Sequence, residues 1–355
     1  MNKSICFIAG GLSGGGQERA LTYLANEFAL RGNKISIICL FKTEIFFELH
    51  PSIQVIWPGL DRNSTNKFVY ALRLVPYIRK NVKKINPDTI ISFGDWFNAY
   101  SIVATRFLNK PTYITNRMGP NLYLGKFIEF FNKHTYKYAT SLIVQTARAK
   151  EIMQHKYKIK TIHVIPNAIK PVIIENRLPE KSIITIGRLS KEKGHKVLIN
   201  AFSNVKDKSW RLDIVGDGPE MNNLKQLVTQ LNLQSNVCFH GHQKDFKHLL
   251  AKASLFVLPS FYEGFPNALV EAMSVPLTCI ASDCVAGPSE IIKHGENGFL
   301  FETGNSEALT VILGELMRNP LKIAHTEKEA FKIVNQFNFH SISSQFLDIV
   351  SNKSF

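Results

Sequence analysis

The run Leu255-Phe256-Val257-Leu258-Pro259-Ser260-Phe261-Tyr262-Glu263-Gly264-Phe265-Pro266-Asn267-Ala268-Leu269-Val270-Glu271-Ala272 passes from an apolar segment, through a loop, into a row of helix formers. Consecutive apolar residues closed by Pro259 suit a strand buried on both faces, as in a parallel sheet. Pro266 or Asn267 then opens a helix. This strand–loop–helix unit recurs in both directions along the chain. Strand-like runs rich in β-branched residues lie near 182–186, 211–215, 237–240, 278–282 and 299–301. In the first half they lie near 4–9, 34–40, 54–57, 89–93, 112–115, 141–145 and 163–165. Helix-length amphipathic segments separate them, which predicts an α/β protein with two Rossmann-like domains in series. A proline-bounded polar stretch at 166–179 marks the boundary. The expected domains are therefore 1–170 and 171–330, with a helical tail at 331–355 returning to the first domain.

With 355 residues, 45% hydrophobic and 20% charged, the chain has room for two ordinary cores. No apolar run approaches the ~20 residues that span a bilayer. The apolar run at 5–11 breaks into glycine at once and reads as a first strand, not a signal peptide. Five scattered cysteines, odd in number and mostly in strand-like runs, argue against a disulfide framework and a metal site, and point to a reducing cytoplasm. The net charge of +15 is one-sided: residues 1–170 hold 24 Lys+Arg against 9 Asp+Glu, and residues 171–355 hold 19 of each. A basic first half suggests an anionic partner: nucleic acid, a membrane surface or a phosphate-bearing substrate.

Chemistry-bearing residues gather where strands end, the edge at which open α/β sheets bind ligands. Residues 10–16, Gly-Gly-Leu-Ser-Gly-Gly-Gly, precede a helical run, and Gly15 and Gly16 would let backbone N–H groups approach an oxygen-rich ligand. The loop lacks the dinucleotide spacing and the Lys-Ser/Thr ending of a P-loop, and it reads equally as a tight βα turn. In residues 187–194, Arg188 and Lys193 follow a strand and suit a diphosphate, Arg188 as a bidentate fork and Lys193 as a point charge. A solvated loop with surface cations is the plain alternative. Gly216, in Gly216-Asp217-Gly218, would let a base or ribose lie against the backbone, or simply form a turn. In the opening run, Glu263 stands at the mouth of the loop, and Glu271 lies one turn inside an otherwise apolar helix. A carboxylate among apolar neighbours needs hydrogen bonds, which two ribose hydroxyls would supply and a salt bridge equally would. Residues 284–290 follow one more strand and line the same edge.

Taken together, Gly14-Gly15-Gly16, Pro166-Asn167-Ala168, Gly187-Arg188-Leu189 with Lys193-Gly194, Val215-Gly216-Asp217-Gly218 and the Glu263/Glu271 pair resemble glycosyltransferase family 4, over nearly the whole chain. The resemblance implies retaining enzymes of the GT-B fold, with two Rossmann-like domains whose parallel sheets face a central cleft. It implies that Arg188 and Lys193 bind the donor diphosphate and help it depart. Glu271 would hold the ribose and Glu263 the transferred sugar, and Phe265, Pro266, Asn267 and Ala268 would present backbone to sugar and phosphate. No metal or other cofactor is expected, because the two cations offset the developing charge. One position departs from the family: many relatives carry a histidine facing the sugar after the fifth strand, and here Arg117 stands in that slot. Arginine cannot serve as a general base, but it can bind a phosphate or a hydroxyl. The resemblance is strongest to bacterial enzymes of surface polysaccharide or lipid-linked glycan assembly. By analogy the donor is a UDP-hexose or UDP-N-acetylhexosamine and the acceptor a glycan on polyprenyl diphosphate.

Residues 62–84 hold seven Lys+Arg and no acid, interleaved with Phe68, Tyr70, Leu72, Leu74 and Tyr77. Residues 122–138 mix Tyr123, Phe127, Phe130, Phe131, Tyr136 and Tyr138 with Lys126, Lys133 and Lys137. Both read either as helices packed on the sheet or as surfaces that dock peripherally on the anionic inner face of the cell membrane. A UDP-N-acetylglucosamine 2-epimerase shares the architecture but would need acid/base residues in the cleft. A non-enzymatic sugar binder predicts an export signal, and a nucleic-acid binder leaves the strand-end loops unexplained, so no nucleic-acid partner is expected.

Overall fold

The computed structural model describes residues 2–59, 66–169, 171–174, 177–243 and 245–351. Positions 62–65 of the first basic stretch, the boundary residue Lys170 and residues 352–355 of the tail lie outside the described residues. The chain divides into two compact units, Met1–Ala168 with Phe339–Phe355, and Ile169–Asn338.

Unit 1 runs β1 (Ser4–Ala9), α1 (Gly16–Leu30), β2 (Lys34–Cys39), β3 (Gln54–Ile56), α2 (Lys67–Ile85), β4 (Thr89–Phe93), α3 (Asn98–Thr105), β5 (Thr112–Thr115), α4 (Lys126–Thr135), β6 (Ser141–Val144), α5 (Ala147–Lys156) and β7 (Ile162–Val164). Its seven strands form one parallel sheet in the order β3-β2-β1-β4-β5-β6-β7. Unit 2 runs β8 (Ser182–Ile186), α6 (His195–Ser203), β9 (Arg211–Val215), α7 (Met221–Gln230), β10 (Val237–Gly241), α8 (Lys247–Lys252), β11 (Leu255–Leu258), α9 (Asn267–Met273), β12 (Thr278–Ser282), α10 (Pro288–Ile291), β13 (Phe299–Phe301), α11 (Ser306–Arg318) and α12 (Pro320–Phe331). Its six parallel strands stand in the order β10-β9-β8-β11-β12-β13. Each unit is a Rossmann-like doubly wound sheet.

Central strands such as β1 and β11 are almost wholly apolar because both of their faces are covered. In β1, Ile5, Phe7 and Ala9 enter one core while Cys6 and Ile8 enter the core on the other face. In β11, Leu255 and Val257 face one core, and Phe256 and Leu258 the other. Four of the five cysteines (Cys6, Cys39, Cys279, Cys284) are buried and all five are free thiols.

The last helix, α13 (Phe339–Ser351), belongs to unit 1. Its buried Ile342, Phe346 and Val350, spaced by four, join the core over β1. Arg31 binds its first turn through His340 O and the hydroxyls of Ser343 and Ser344, and Tyr113 Oη donates to Ile349 O at 2.9 Å. Unit 2 runs on past residue 330 to Asn338, because Ala330, Ile333 and Phe337 fill the core around α9.

The two basic stretches differ. In α2, Tyr70, Leu74, Ile78 and Val82 are buried at a spacing of four, and the hydroxyls of Tyr70 and Tyr77 donate to Leu40 O and Cys39 O. Its described aromatic rings are thus turned to the sheet, not to a bilayer. In and around α4, Tyr123, Phe127, Phe130 and Tyr138 are exposed.

Candidate active site

In unit 2 the chain leaves β8 toward β9 and β10, and leaves β11 in the other direction, toward β12 and β13. The crevice between β8 and β11 is therefore the switch point of the sheet, where such folds bind ligands. The loops that leave these two strands carry Arg188, Lys193 and Glu263.

A single 3-10 turn, Lys191–Lys193, ends at Gly194, whose φ is +65°. A Cβ at Gly194 would lie 2.0 Å from Pro259 O, so only glycine lets this loop rest on the one after β11. Phe261 N donates to Glu192 O at 2.8 Å and joins the two backbones. This docking brings Lys193 Nζ to Glu263, where it donates to Oε1 at 2.8 Å and Oε2 at 2.9 Å. Ser260 Oγ donates to Glu263 Oε1 at 2.6 Å, and Ser282 Oγ donates to Ser260 O. Glu263 is only 7% exposed, whereas Lys193 keeps 27% of its side chain in contact with solvent. Arg188 is exposed on the same loop.

The loop after β9 zips onto the loop after β8. Gly187 N donates to Val215 O, Leu189 N to Asp217 O and Glu220 N to Leu189 O. Gly216, with φ +143°, passes so close that a Cβ would stand 1.9 Å from Gly187 O. The loop after β11 meets the loop after β12 where Gly287 packs on Pro266. Phe265 is buried and its ring contacts Phe337 edge-on at 5.6 Å, so its side chain is a packing element. Asn267, Ala268 and Glu271 are half-buried on α9, whose Leu269, Val270, Ala272 and Met273 face the core.

Two titratable neighbours are held neutral. Burial, with Glu263 nearby, pushes the Cys284 thiol up to about 11, so it is no nucleophile at neutral pH. Burial, reinforced by Lys193, pushes His195 down to about 4. Among the described residues, His195 Nδ1 has no hydrogen-bond partner.

Gly15, Gly16 and Arg117 belong to unit 1. Gly16 is the first residue of α1, and the Gly15 N-cap makes no side-chain capping bond. The loop is pinned by Leu12 N, which donates to Thr43 Oγ1 at 2.9 Å. Glu18 in the first turn stands over Gly15, and its burial raises its pKa. The loop after β5 is built on Asp95, which accepts from Arg117 N at 2.8 Å, Met118 N at 3.1 Å and Asn116 Nδ2 at 2.5 Å. Arg117 itself turns inward. Its Nη1 donates to Asn167 Oδ1 at 2.7 Å, its guanidinium lies 4.3 Å over the Phe93 ring, and Nε and Nη2 have no partner among the described residues. Burial lowers its pKa to about 9, against the pull of Asp95.

Two sequence-family models tile the chain. "Glycosyltransferase Family 4" matches residues 14–172 and "Glycosyl transferases group 1" matches residues 169–333. The chain belongs to the family 4 glycosyltransferases. An uncharacterized glycosyltransferase of Haemophilus influenzae is 29% identical over 90% of this chain and 92% of its own length. An α-1,4-N-acetyl-D-galactosaminyltransferase of Campylobacter jejuni, named for its undecaprenol-diphosphate-linked glycan acceptor, is 27% identical over 93% of this chain and 98% of its own. The Anabaena HepE protein, solved with UDP, superposes with a TM-score of 0.80 at 20% identity, covering 98% and 99% of the two chains. The fold is GT-B.

Within this glycosyltransferase, Ser260, Ser282 and Asp95 were missed by the sequence reading. Each holds a loop in place through a buried hydrogen bond, and nothing about a lone serine or aspartate marks it in advance. The one available signal was Ser260's position, between a strand-ending proline and the Glu263 loop.

Proposed function

We propose that this glycosyltransferase moves a hexose or N-acetylhexosamine from a UDP-linked donor to a hydroxyl of a growing lipid-linked glycan, with retention of configuration and without a metal. The observation that carries the reading is Lys193, fastened to Glu263 at the switch point of unit 2. An ammonium has three donors, and Glu263 takes two, which leaves one for a ligand oxygen. A cation held in advance stabilises charge that develops on a leaving group without reorganising to do so. Arg188, exposed on the same loop, adds a fork that matches a diphosphate. In the proposed step the bond from the sugar's anomeric carbon to the diphosphate breaks and its electron pair stays on the diphosphate. The acceptor oxygen bonds to the anomeric carbon, and its proton leaves with the diphosphate. Glu263 orients Lys193 and touches the sugar, while Glu271 holds the ribose.

No helix among the described residues is long and apolar enough to cross a membrane. A lipid-linked acceptor would then be met by peripheral association, and the basic first unit suits the cytoplasmic face of the membrane. The test is a panel of UDP-, GDP- and ADP-sugars, scored for slow hydrolysis and for transfer to a short-chain polyprenyl-diphosphate glycan. Turnover confined to one or two UDP-sugars is the expected result. Absence of turnover for every nucleotide sugar, or full turnover by Lys193→Ala, would overturn the reading.

A further inference from the structure

At the amino-terminal ends of β5, β6 and β7, opposite the loops that carry Gly15 and Arg117, unit 1 has a groove of about 750 Å³. Its walls carry Lys110, Lys137 and Lys160, each on the approach to a different strand. Among the described residues, none of the three lysines forms an ion pair. Asp348 is the only carboxylate among the described lining residues, against three ammonium groups. Burial, and then Lys150, push down the pKa of His163, also on the wall. Like charges facing one hollow repel one another until an anion enters it.

The rim adds apolar surface. Phe107 is 82% exposed and is held at φ +66°, a region that bulky residues rarely occupy. Arg106 lies 3.5 Å over the Tyr138 ring and 4.9 Å from that of Phe107. From Tyr138 an exposed stripe continues back along α4 through His134, Phe130 and Phe127, at spacings that keep one helix face. Phe127 and Phe130 are 68% and 64% exposed, and the His134 ring lies tilted against Phe130, with centroids 4.1 Å apart. Phe131, by contrast, turns inward onto Tyr100. The stripe is roughly 16 Å long.

We propose that the Lys110/Lys137/Lys160 groove binds the headgroup phosphate of an anionic phospholipid, with the Phe127–Phe130–Tyr138 stripe and Phe107 seated in the interfacial layer beside it. This rests on the reading that the acceptor is lipid-linked. A soluble phosphate would use the cations alone and leave the rings in water. A bilayer surface uses both, since aromatic rings favour the headgroup layer and lysines the anionic lipid. Lying on this face would run α4 along the membrane, from the amino ends of the strands toward the ends that carry the Gly15 and Arg117 loops.

The test is co-sedimentation with phosphatidylcholine vesicles, with and without phosphatidylglycerol, alongside hydrolysis of the UDP-sugar. Wild-type protein should prefer the anionic vesicles, and added salt should weaken the binding. Lys110→Ser/Lys137→Ser/Lys160→Ser should lose about 100-fold in affinity for them, from three cations near the surface, with sugar hydrolysis unchanged. Phe127→Ser/Phe130→Ser should weaken binding at every salt concentration. Wild-type vesicle affinity in the triple lysine variant, with hydrolysis intact, would overturn this site and leave the proposed function standing. Vesicle binding as described in a protein that turns over no nucleotide sugar would do the reverse. Release by inorganic phosphate beyond that by chloride of equal ionic strength, with the phenylalanine variant binding normally, would assign the groove to a soluble phosphate and overturn the lipid assignment.

Discussion

Lys193 Nζ bonds both carboxylate oxygens of Glu263, at 2.8 and 2.9 Å, across seventy positions of sequence and two different βα loops. The pair is asymmetric, because the carboxylate is nearly out of water and the ammonium is not. A nearly buried carboxylate needs its partner more than an accessible ammonium does. Glu263 is therefore the anchor of the pair, and Lys193 is the partner left open to solvent.

Lys193→Ala should lower kcat by at least ~10²–10³-fold, the cost of removing one preorganised donor from a developing anion. Among the described residues, it also leaves Glu263 with only Ser260 for a partner. The fold should lose about 1–3 kcal/mol, less than a fully buried pair would cost. Steady-state kinetics and a urea melt on the same preparation check both numbers. Glu263→Gln keeps one acceptor for Lys193 and should retain more activity than Glu263→Ala.

Gly194→Ala should destabilise by about 2 kcal/mol or more, from left-handed backbone plus the displaced Pro259 carbonyl. Gly187 is the control on the same loop, since its Cβ would meet nothing within 4 Å. Gly187→Ala should change stability by less than about 1 kcal/mol. Equal melting temperatures for the two variants would contradict the loop geometry.

Glu271→Ala should raise the donor KM about 10- to 100-fold, the worth of hydrogen bonds to a charged group, with a smaller change in kcat. Isothermal titration with UDP measures the same loss without turnover. Unchanged UDP affinity would remove Glu271 from the donor site.

His195 sets an acid limit on unit 2. Its folded pKa is about 4, from burial first and Lys193 second, against 6.5 for the free side chain. The unfolded chain therefore binds the proton first as pH falls. Stability from this residue is complete above pH 6.5 and declines toward pH 4, by up to roughly 3 kcal/mol. Urea melts of wild type and His195→Leu across that window should diverge, with the leucine variant flatter.

Much of this was legible beforehand. Runs such as Ser182–Ile186 and Leu255–Leu258 are apolar on both faces, so parallel strands could be read to within a residue. Arg188, Lys193 and Glu263 could be placed on strand-end loops, and Glu271 on the helix that follows, because glycine turns and charges at strand ends are local signals. The bond between Lys193 and Glu263 was not legible, since it depends on which strands become neighbours across the switch point. Arg117 was read as facing a ligand, and the structure turns it onto Asn167 and Phe93. Its direction depends on Asp95, twenty-two positions away, which captures the loop's N–H groups. In α2 the basic and aromatic mixture suggested a surface, but its fourfold spacing of Tyr70, Leu74, Ile78 and Val82 was the stronger signal.

The loops after β8 and β9 share three backbone bonds and a glycine-to-carbonyl approach with no room for a side chain. They consequently behave as one inheritable part. An insertion in either would strip partners from the other, so change here has to proceed through exposed side chains such as that of Arg188, or by exchange of both loops together. An engineer grafting either loop from a relative should transplant 187–194 and 215–220 as a single cassette.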